Sequence, residues 1–454
     1  MSTNPVWWSL ETRAAGPAAR YAWIASGALV LALALGCGGS SSDNDAGPDV
    51  GAPDVPGDTG TADVPVKDLV PADQGPYDPG STDEGPGDPG GKDLGPSDVG
   101  PMDADAAGDA GTDAVACPAG AFCGGTYNRV FVTSTKFLLS DLGVTGADTA
   151  CNKSAQAASL PGTYSAWISG ATSDAKTRLG SASGWLRTDF RPFAASQADL
   201  LAGHILYPPY LDEFGSPGAS TSGVSVGTNA DGTVADQNCL DWTVKGPTDH
   251  VTSGYSFAGN AKWTSGGLGQ CNLESPIYCL GVDYDGGIPV APVSGRVAFA
   301  TAGRFTPDGG LTGADALCQS EAVAASLPGT YKALLGTTSA SPISRFSTAG
   351  ATWVRVDGLP VWDSAADAAA GEPPLAPFLV QADGGRATSG WAWAGSQSLV
   401  APGTLTCQDW TTILASEQAH GASTFYAYLG WIGLGPVTCD RTVAFDARLI
   451  CLQE

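Results

Sequence analysis

The sequence predicts an α+β protein made of two copies of one disulfide-braced domain, carried behind a disordered acidic spacer. Three observations predict it. A ladder of matched residues recurs at a separation of 167 or 168 positions. Each copy opens on a strand-like run, passes through an Ala-rich helical stretch and continues in short strands and loops rich in Gly, Ser and Thr. Ahead of the first copy, an Asp/Gly/Pro-rich tract has neither helical nor strand periodicity.

At the start of the chain, Arg13 and Arg20 form a positive region and residues 21–36 an apolar one, as in a signal peptide. That apolar stretch of 16 residues is shorter than the ~20 a membrane span needs. Gly36 precedes Cys37, and the run Leu-Ala-Leu-Ala-Leu-Gly-Cys at 31–37 resembles a bacterial lipobox. The resemblance implies that residues 1–36 are a lipoprotein signal peptide, that cleavage leaves Cys37 first, and that Cys37 carries lipid. Gly38, not Asp, follows, which by the bacterial sorting rule implies the outer membrane.

Residues 37–116 are the spacer. Residues 38–116 hold 17 Asp, one Glu and two Lys, so one tract carries most of the net charge of −25. Asp recurs every fifth residue from Asp58 to Asp103. Gly and Pro block regular structure, apolar residues are too few to offset ordering entropy, and like charges repel. A stalk that lifts the rest of the chain from a membrane follows. The two copies themselves carry only about −3 and −5 by residue count. No basic stripe is present, so nucleic acid is not an expected partner.

Eleven cysteines suit an exported protein, and setting Cys37 aside leaves ten, an even number. Cys117 and Cys123 flank five residues and are expected to pair, clipping a short segment at 117–126.

Leu160-Pro161-Gly162-Thr163-Tyr164 returns as Leu327-Pro328-Gly329-Thr330-Tyr331. The ladder also matches Asp148 with Asp315, Cys151 with Cys318, Arg178 with Arg345, Arg187 with Arg355 and Asp241-Trp242 with Asp409-Trp410, and, after a short insertion in the second copy, Cys279 matches Cys451. The copies span 127–280 and 295–454, with a linker at 281–294. In each, strands are expected at Arg129–Thr133 and Arg296–Ala300. Helices are expected to start at Thr145 and Thr312, with Asp148 or Asp315 near the positive helix end, and to stop at Leu-Pro-Gly. Residues 163–168 read as a further strand.

Several of these residues resemble endostatin, the C-terminal domain of certain collagens. Ala147-Asp148 with Cys151, Leu160–Tyr164 and Ala166-Trp167-Ile168 resemble its first half. Gly227–Gly232, Cys239–Trp242 and Ile277-Tyr278-Cys279 resemble its second half. The same skeleton is similar to the endostatin-like surface lipoproteins of bacteria, including spirochaetes. The resemblance implies a C-type-lectin-like fold in both copies. The residues alone allow three connectivities per copy; the resemblance implies Cys151 with Cys279, Cys239 with Cys271, Cys318 with Cys451 and Cys407 with Cys439. In the second copy Ala394–Ser398 departs from the Gly-Thr-Asn-Ala-Asp-Gly loop.

Little catalytic chemistry can be drawn. His204, His250 and His420 have no matched positions in the two copies and form no triad or metal motif. No histidine stands near Arg129 or Arg296, so endostatin's zinc is not carried over, and no cofactor is expected. The lectin-like fold also hosts formylglycine-generating oxidases, but those need a reactive cysteine pair, and all eight domain cysteines have structural roles here; an enzyme is not expected. Asn229, Asp231, Asp236 and Asp212-Glu213 could surround an ion, but Asn-Ala-Asp-Gly reads better as a polar turn. Trp242 and Trp410, each after a bridging cysteine, read as core fillers. Trp391, Trp393 and Trp431, with Trp263 and Tyr255, fall in loop-like segments and are the ligand-binding expectation, since exposed aromatics stack on sugars and anchor interfaces. Contacts are expected from residues 205–238 and 373–405. The function expected is that of a lipid-anchored binding protein for an extracellular protein or polysaccharide, displayed on the outer membrane; the alternative is a structural envelope protein.

Overall fold

The computed structural model describes residues 120–122, 124–218, 223–440 and 447–454. Cys37, the spacer, Cys117 and Cys123, with the expectations placed on them, lie outside the described residues. The described residues belong to one compact unit, so both copies share it.

The first copy runs β1 (Asn128–Val132), α1 (Leu139–Ala157), β2 (Tyr164–Ala166), α2 (Ala175–Arg178), β3 (Trp185–Leu186), β4 (Pro192–Ala194), α3 (Gln197–Leu201), β5 (Val224–Ser225), α4 (Cys239–Trp242), β6 (His250–Gly254), β7 (Gly267–Gln270) and β8 (Tyr278–Gly281). The second runs β9 (Arg296–Ala300), α5 (Gly310–Ala324), β10 (Tyr331–Ala333), β11 (Trp353–Arg355), α6 (Ala365–Ala370), β12 (Trp391–Trp393), α7 (Cys407–Trp410), β13 (Gln418–Ser423), β14 (Ile432–Thr438) and β15 (Ile450–Gln453). Helices and sheets together make this an α+β chain. No helix of the described residues is long and apolar enough to cross a membrane.

Each copy holds a larger and a smaller sheet. The larger are ordered β2-β8-β1-β3-β4 and β10-β15-β9-β11; the smaller are β5-β6-β7 and β12-β13-β14. The first and last strands of each copy pair antiparallel, Phe131 opposite Cys279 and Phe299 opposite Cys451. That pairing sets the helix cysteine against the last strand. The bridges are Cys151–Cys279, Cys239–Cys271, Cys318–Cys451 and Cys407–Cys439, with Cα separations of 5.4 to 5.7 Å. The nested pairing implied by the resemblance is the one present. The cystines sit in the core, packed with Phe131, Tyr164 and Trp242 in one copy and Phe299, Tyr331 and Trp410 in the other. Each contributes ~2–4 kcal/mol by restricting the unfolded chain.

The helix starts depart from expectation. Helix α1 begins at Leu139 and kinks at Gly143, whose φ of 60° and ψ of −171° break the helical path before the main run. Thr145 is therefore inside the helix rather than its cap. In α5 the capping position is Gly309, with no side-chain cap. Asp148 and Asp315 are not spent on the helix end either. Each accepts the N–H of the third residue of the next strand, Ala166 at 2.8 Å and Ala333 at 2.9 Å, and pairs with an arginine, Arg178 or Arg345. The guanidinium then donates to backbone carbonyls of Ala166 and Ile168, or of Ala333. A helix–strand clamp explains why Asp and Arg recur together in the ladder.

The copies are not beads on a string. Arg191 pairs with Asp363, and Tyr210 stacks on Tyr428 at 4.5 Å and 7°. Backbone bonds cross as well: Gly259 N–H donates to Phe425 at 2.8 Å and Ala427 N–H to Phe257 at 2.9 Å. The linker is packed too, with Ile288 buried and its N–H on the Ala195 carbonyl at 2.9 Å. Aromatic burial across the joint makes the pair one body.

Candidate functional site

The aromatic expectations divide sharply. Trp263 is fully buried, against Trp167 at 5.1 Å, Phe193 at 5.1 Å and Tyr278 at 5.3 Å. Trp393 is buried beside Trp410 and donates its Nε1–H to the Phe305 carbonyl at 3.1 Å. Trp431 packs on Trp362 and Phe378. These three are core residues, and their expected role in ligand contact is corrected: apolar faces already covered cannot stack on a ligand. Trp391 and Tyr255 are half-buried. Trp242 and Trp410 are the core fillers expected; their Nε1–H groups donate to the Ser169 and Gly336 carbonyls at 2.8 and 2.9 Å.

Part of the segments expected to reach a ligand is used in joining the copies. Tyr207 donates its hydroxyl to the Pro360 carbonyl, Tyr210 carries the stack on Tyr428, and Ala376 and Leu375 pack with Tyr207. The polar turn behaves as a turn. Asn229 Nδ2 donates to Thr233 Oγ1 and the Val234 carbonyl, and Asp231 accepts from Thr233 N–H and hydroxyl. Glu213 accepts from Ser134, and Asp212 from the Phe214 and Ser216 N–H groups. Among the described residues no group of three His, Cys, Asp or Glu side chains is placed to hold a metal ion.

What remains is a groove over the small sheet of the first copy. It encloses about 220 Å³ and is lined by Gly223, Ser225, Ser253, Tyr255, Gly269 and Glu274, among others. Its floor is open because the residues are small. A Cβ on Gly269 would lie 2.7 Å from Ser253 Oγ and 3.6 Å from Ser225 Oγ, filling the space between the hydroxyls. Tyr255 forms one wall. Its ring is fixed by stacking on Phe257 at 5.7 Å and by the edge of Tyr426 at 6.0 Å, from the other copy. The turn after β7 brings Glu274 to the groove. Ser275 braces that turn, accepting Ser225 N–H at 2.8 Å.

The strand registers place the two copies side by side. Val224 faces Gly254 and Ser225 faces Ser253; in the second copy Ala392 faces Ala422 and Trp393 faces Gly421. Trp391 and Trp393 thus occupy the positions of Gly223 and Ser225. Trp391 lies over Gly421, where a Cβ would be 3.5 Å from the indole. The second copy fills with two indoles what the first leaves open. Sequence reasoning chose the tryptophans and Tyr255 as conspicuous aromatics, and of these Tyr255 lines the groove; the signal for its opening was the replacement of two tryptophans by Gly and Ser at the same register.

Set beside known proteins, the chain matches no family model and no curated protein.

Proposed function

We propose that the chain is a lipid-anchored protein of the outer membrane surface, with two endostatin-like, lectin-like copies, and that its first copy holds a segment of extracellular polysaccharide in the Tyr255 groove. The observation that carries this reading is the asymmetry between the copies: one scaffold, with the same strand register, open in the first and plugged by Trp391 and Trp393 in the second. A half-buried tyrosine beside hydroxyls and backbone suits a sugar ring, whose apolar face stacks while its hydroxyls exchange hydrogen bonds. Of the named lining residues only Glu274 is charged, which fits a ligand that is neutral or carries donors. The lectin-like reading is supported by the nested cystines and by the paired first and last strands of each copy. The lipid anchor rests on Cys37 and the apolar run before it.

A protein ligand is the second reading. Leu268 and Leu273, 64% and 55% exposed, stand at the same groove and would suit an apolar partner surface. A glycan and matrix-protein array probed with the full chain separates the two. Polysaccharide spots lost on Tyr255→Ala support the first reading, protein spots lost on the same change support the second, and binding untouched by the change rejects the groove.

A further inference from the structure

A second cleft opens where the copies meet. Ala195, Asp199, His204 and Leu206 come from the first copy, Val290 from the linker, and Asp357, Leu359 and Arg386 from the second; the volume is about 280 Å³. Its chemistry centres on Arg386. The Nη1 of that guanidinium is buried and has no hydrogen-bond partner. Burial, with the like charge of Arg355, lowers its pKa to about 10, against the pull of Asp357 and Asp199. It therefore remains a cation at neutral pH.

The nearby carboxylates are already engaged. Asp357 accepts Arg355 Nε at 3.0 Å and Nη2. Asp199 accepts the Ser196 hydroxyl at 2.6 Å and lies 3.5 Å from His204 Nδ1. A buried donor of this kind is costly unless something accepts from it. The register adds a second point. The bridge Val380–Arg386 matches Leu211–Pro217 of the first copy, so Arg386 stands where the first copy has a proline and is no part of the shared scaffold.

We propose that this cleft binds a small aliphatic carboxylate, with its oxygens on Arg386 and its hydrocarbon between Leu206, Val290 and Leu359. A carboxylate suits the site better than a sulfate or phosphate, because the two aspartates would repel a second negative charge. The volume is at the small end for a ligand pocket and limits the ligand to a few carbons. An amino or hydroxyl group on the ligand would find its acceptor in Asp199 at the half-exposed rim.

Thermal melts and calorimetric titrations of the full chain with isobutyrate, leucine, 2-hydroxyisovalerate and sodium sulfate test this. At least one of the three carboxylates should raise the melting temperature saturably by 2 °C or more, with sulfate weaker. Arg386→Met should abolish that shift while raising the melting temperature of the unliganded chain, since it removes a guanidinium whose Nη1 is buried without a hydrogen-bond partner. Ala195→Leu, which narrows the cleft and keeps the charge, should also abolish it. The proposal is overturned if none of the carboxylates binds, if sulfate acts equally, if either variant retains the shift, or if Arg386→Met lowers the melting temperature, which would make the guanidinium a structural group.

Discussion

Single side chains carry two kinds of work here, and the difference is measurable. Trp393 lies in the core with its N–H satisfied, so Trp393→Ala should cost ~3–5 kcal/mol in urea denaturation. A loss under 1 kcal/mol would return it to the surface. Arg187 is almost wholly buried, donating to Asp189 and to the Pro208 carbonyl at 3.0 Å. Burial alone would raise the pKa of Asp189; Arg187, then Arg191, hold it below the usual carboxylate range. Asp357 beside Arg355 repeats the arrangement. A carboxyl whose folded pKa is depressed stabilises the fold above its unfolded pKa of ~4 and loses that contribution as pH falls through the folded value. The urea midpoint should stay level from neutral pH to ~5 and drop below ~4. In Asp189→Asn part of that drop should vanish; an unchanged acid limb would mean the carboxylate plays no part in it.

At the scale of elements, the two cystine-bound turns are unusual. All four residues of α4 have φ between 45° and 62°, and all four of α7 between 50° and 70°, a left-handed turn built without glycine. Asn238 and Thr406 cap these turns, and Asp241 and Asp409 accept the Ala171 and Thr338 N–H groups at 2.7 and 2.8 Å, holding the turns in place. Left-handed conformation costs ~1–2 kcal/mol per residue. Leu240 is exposed, so Leu240→Gly should leave stability unchanged or slightly higher, whereas Leu240→Val should lower it by ~1 kcal/mol or more. Equal losses for both would mean that the Leu240 side chain, not its backbone, matters. These turns were illegible in the sequence because Cys-Leu-Asp-Trp carries no glycine to announce a positive φ. The opening strands were legible, and the cystine pairing only through the family resemblance. Strand β9 falls where expected and β1 one residue earlier, because β-branched and aromatic runs bounded by polar residues leave few choices. Helix starts were missed because Gly143 and Gly309, not a hydroxyl, set them. The groove was legible only in part: Tyr255 and the segment holding Gly223 and Ser225 were expected to reach a ligand, but one sequence cannot tell an indole that fills a hole from one that offers itself to a ligand, and that requires the strand register.

The described residues form a repeated scaffold whose two copies differ in what covers the face of the small sheet. The ion pair of Arg191 with Asp363, the Tyr210–Tyr428 stack and the crossing backbone bonds predict that both copies unfold in one calorimetric transition. Two resolved transitions would mean that the joint contributes little. Under the proposed function the labour is divided: the second copy, filled by its indoles, braces the first and fixes Tyr255 through Tyr426, while the first keeps the open groove. The most direct test transplants the plug. The double change Gly223→Trp with Ser253→Gly installs in the first copy the pair that Trp391 and Gly421 make in the second. With the polysaccharide or protein captured on the array as ligand, the affinity of this variant and of the unaltered chain is measured by titration, with a thermal melt alongside. A fall in affinity of at least tenfold at an unchanged melting temperature is the predicted result; full affinity in the plugged variant would contradict the account.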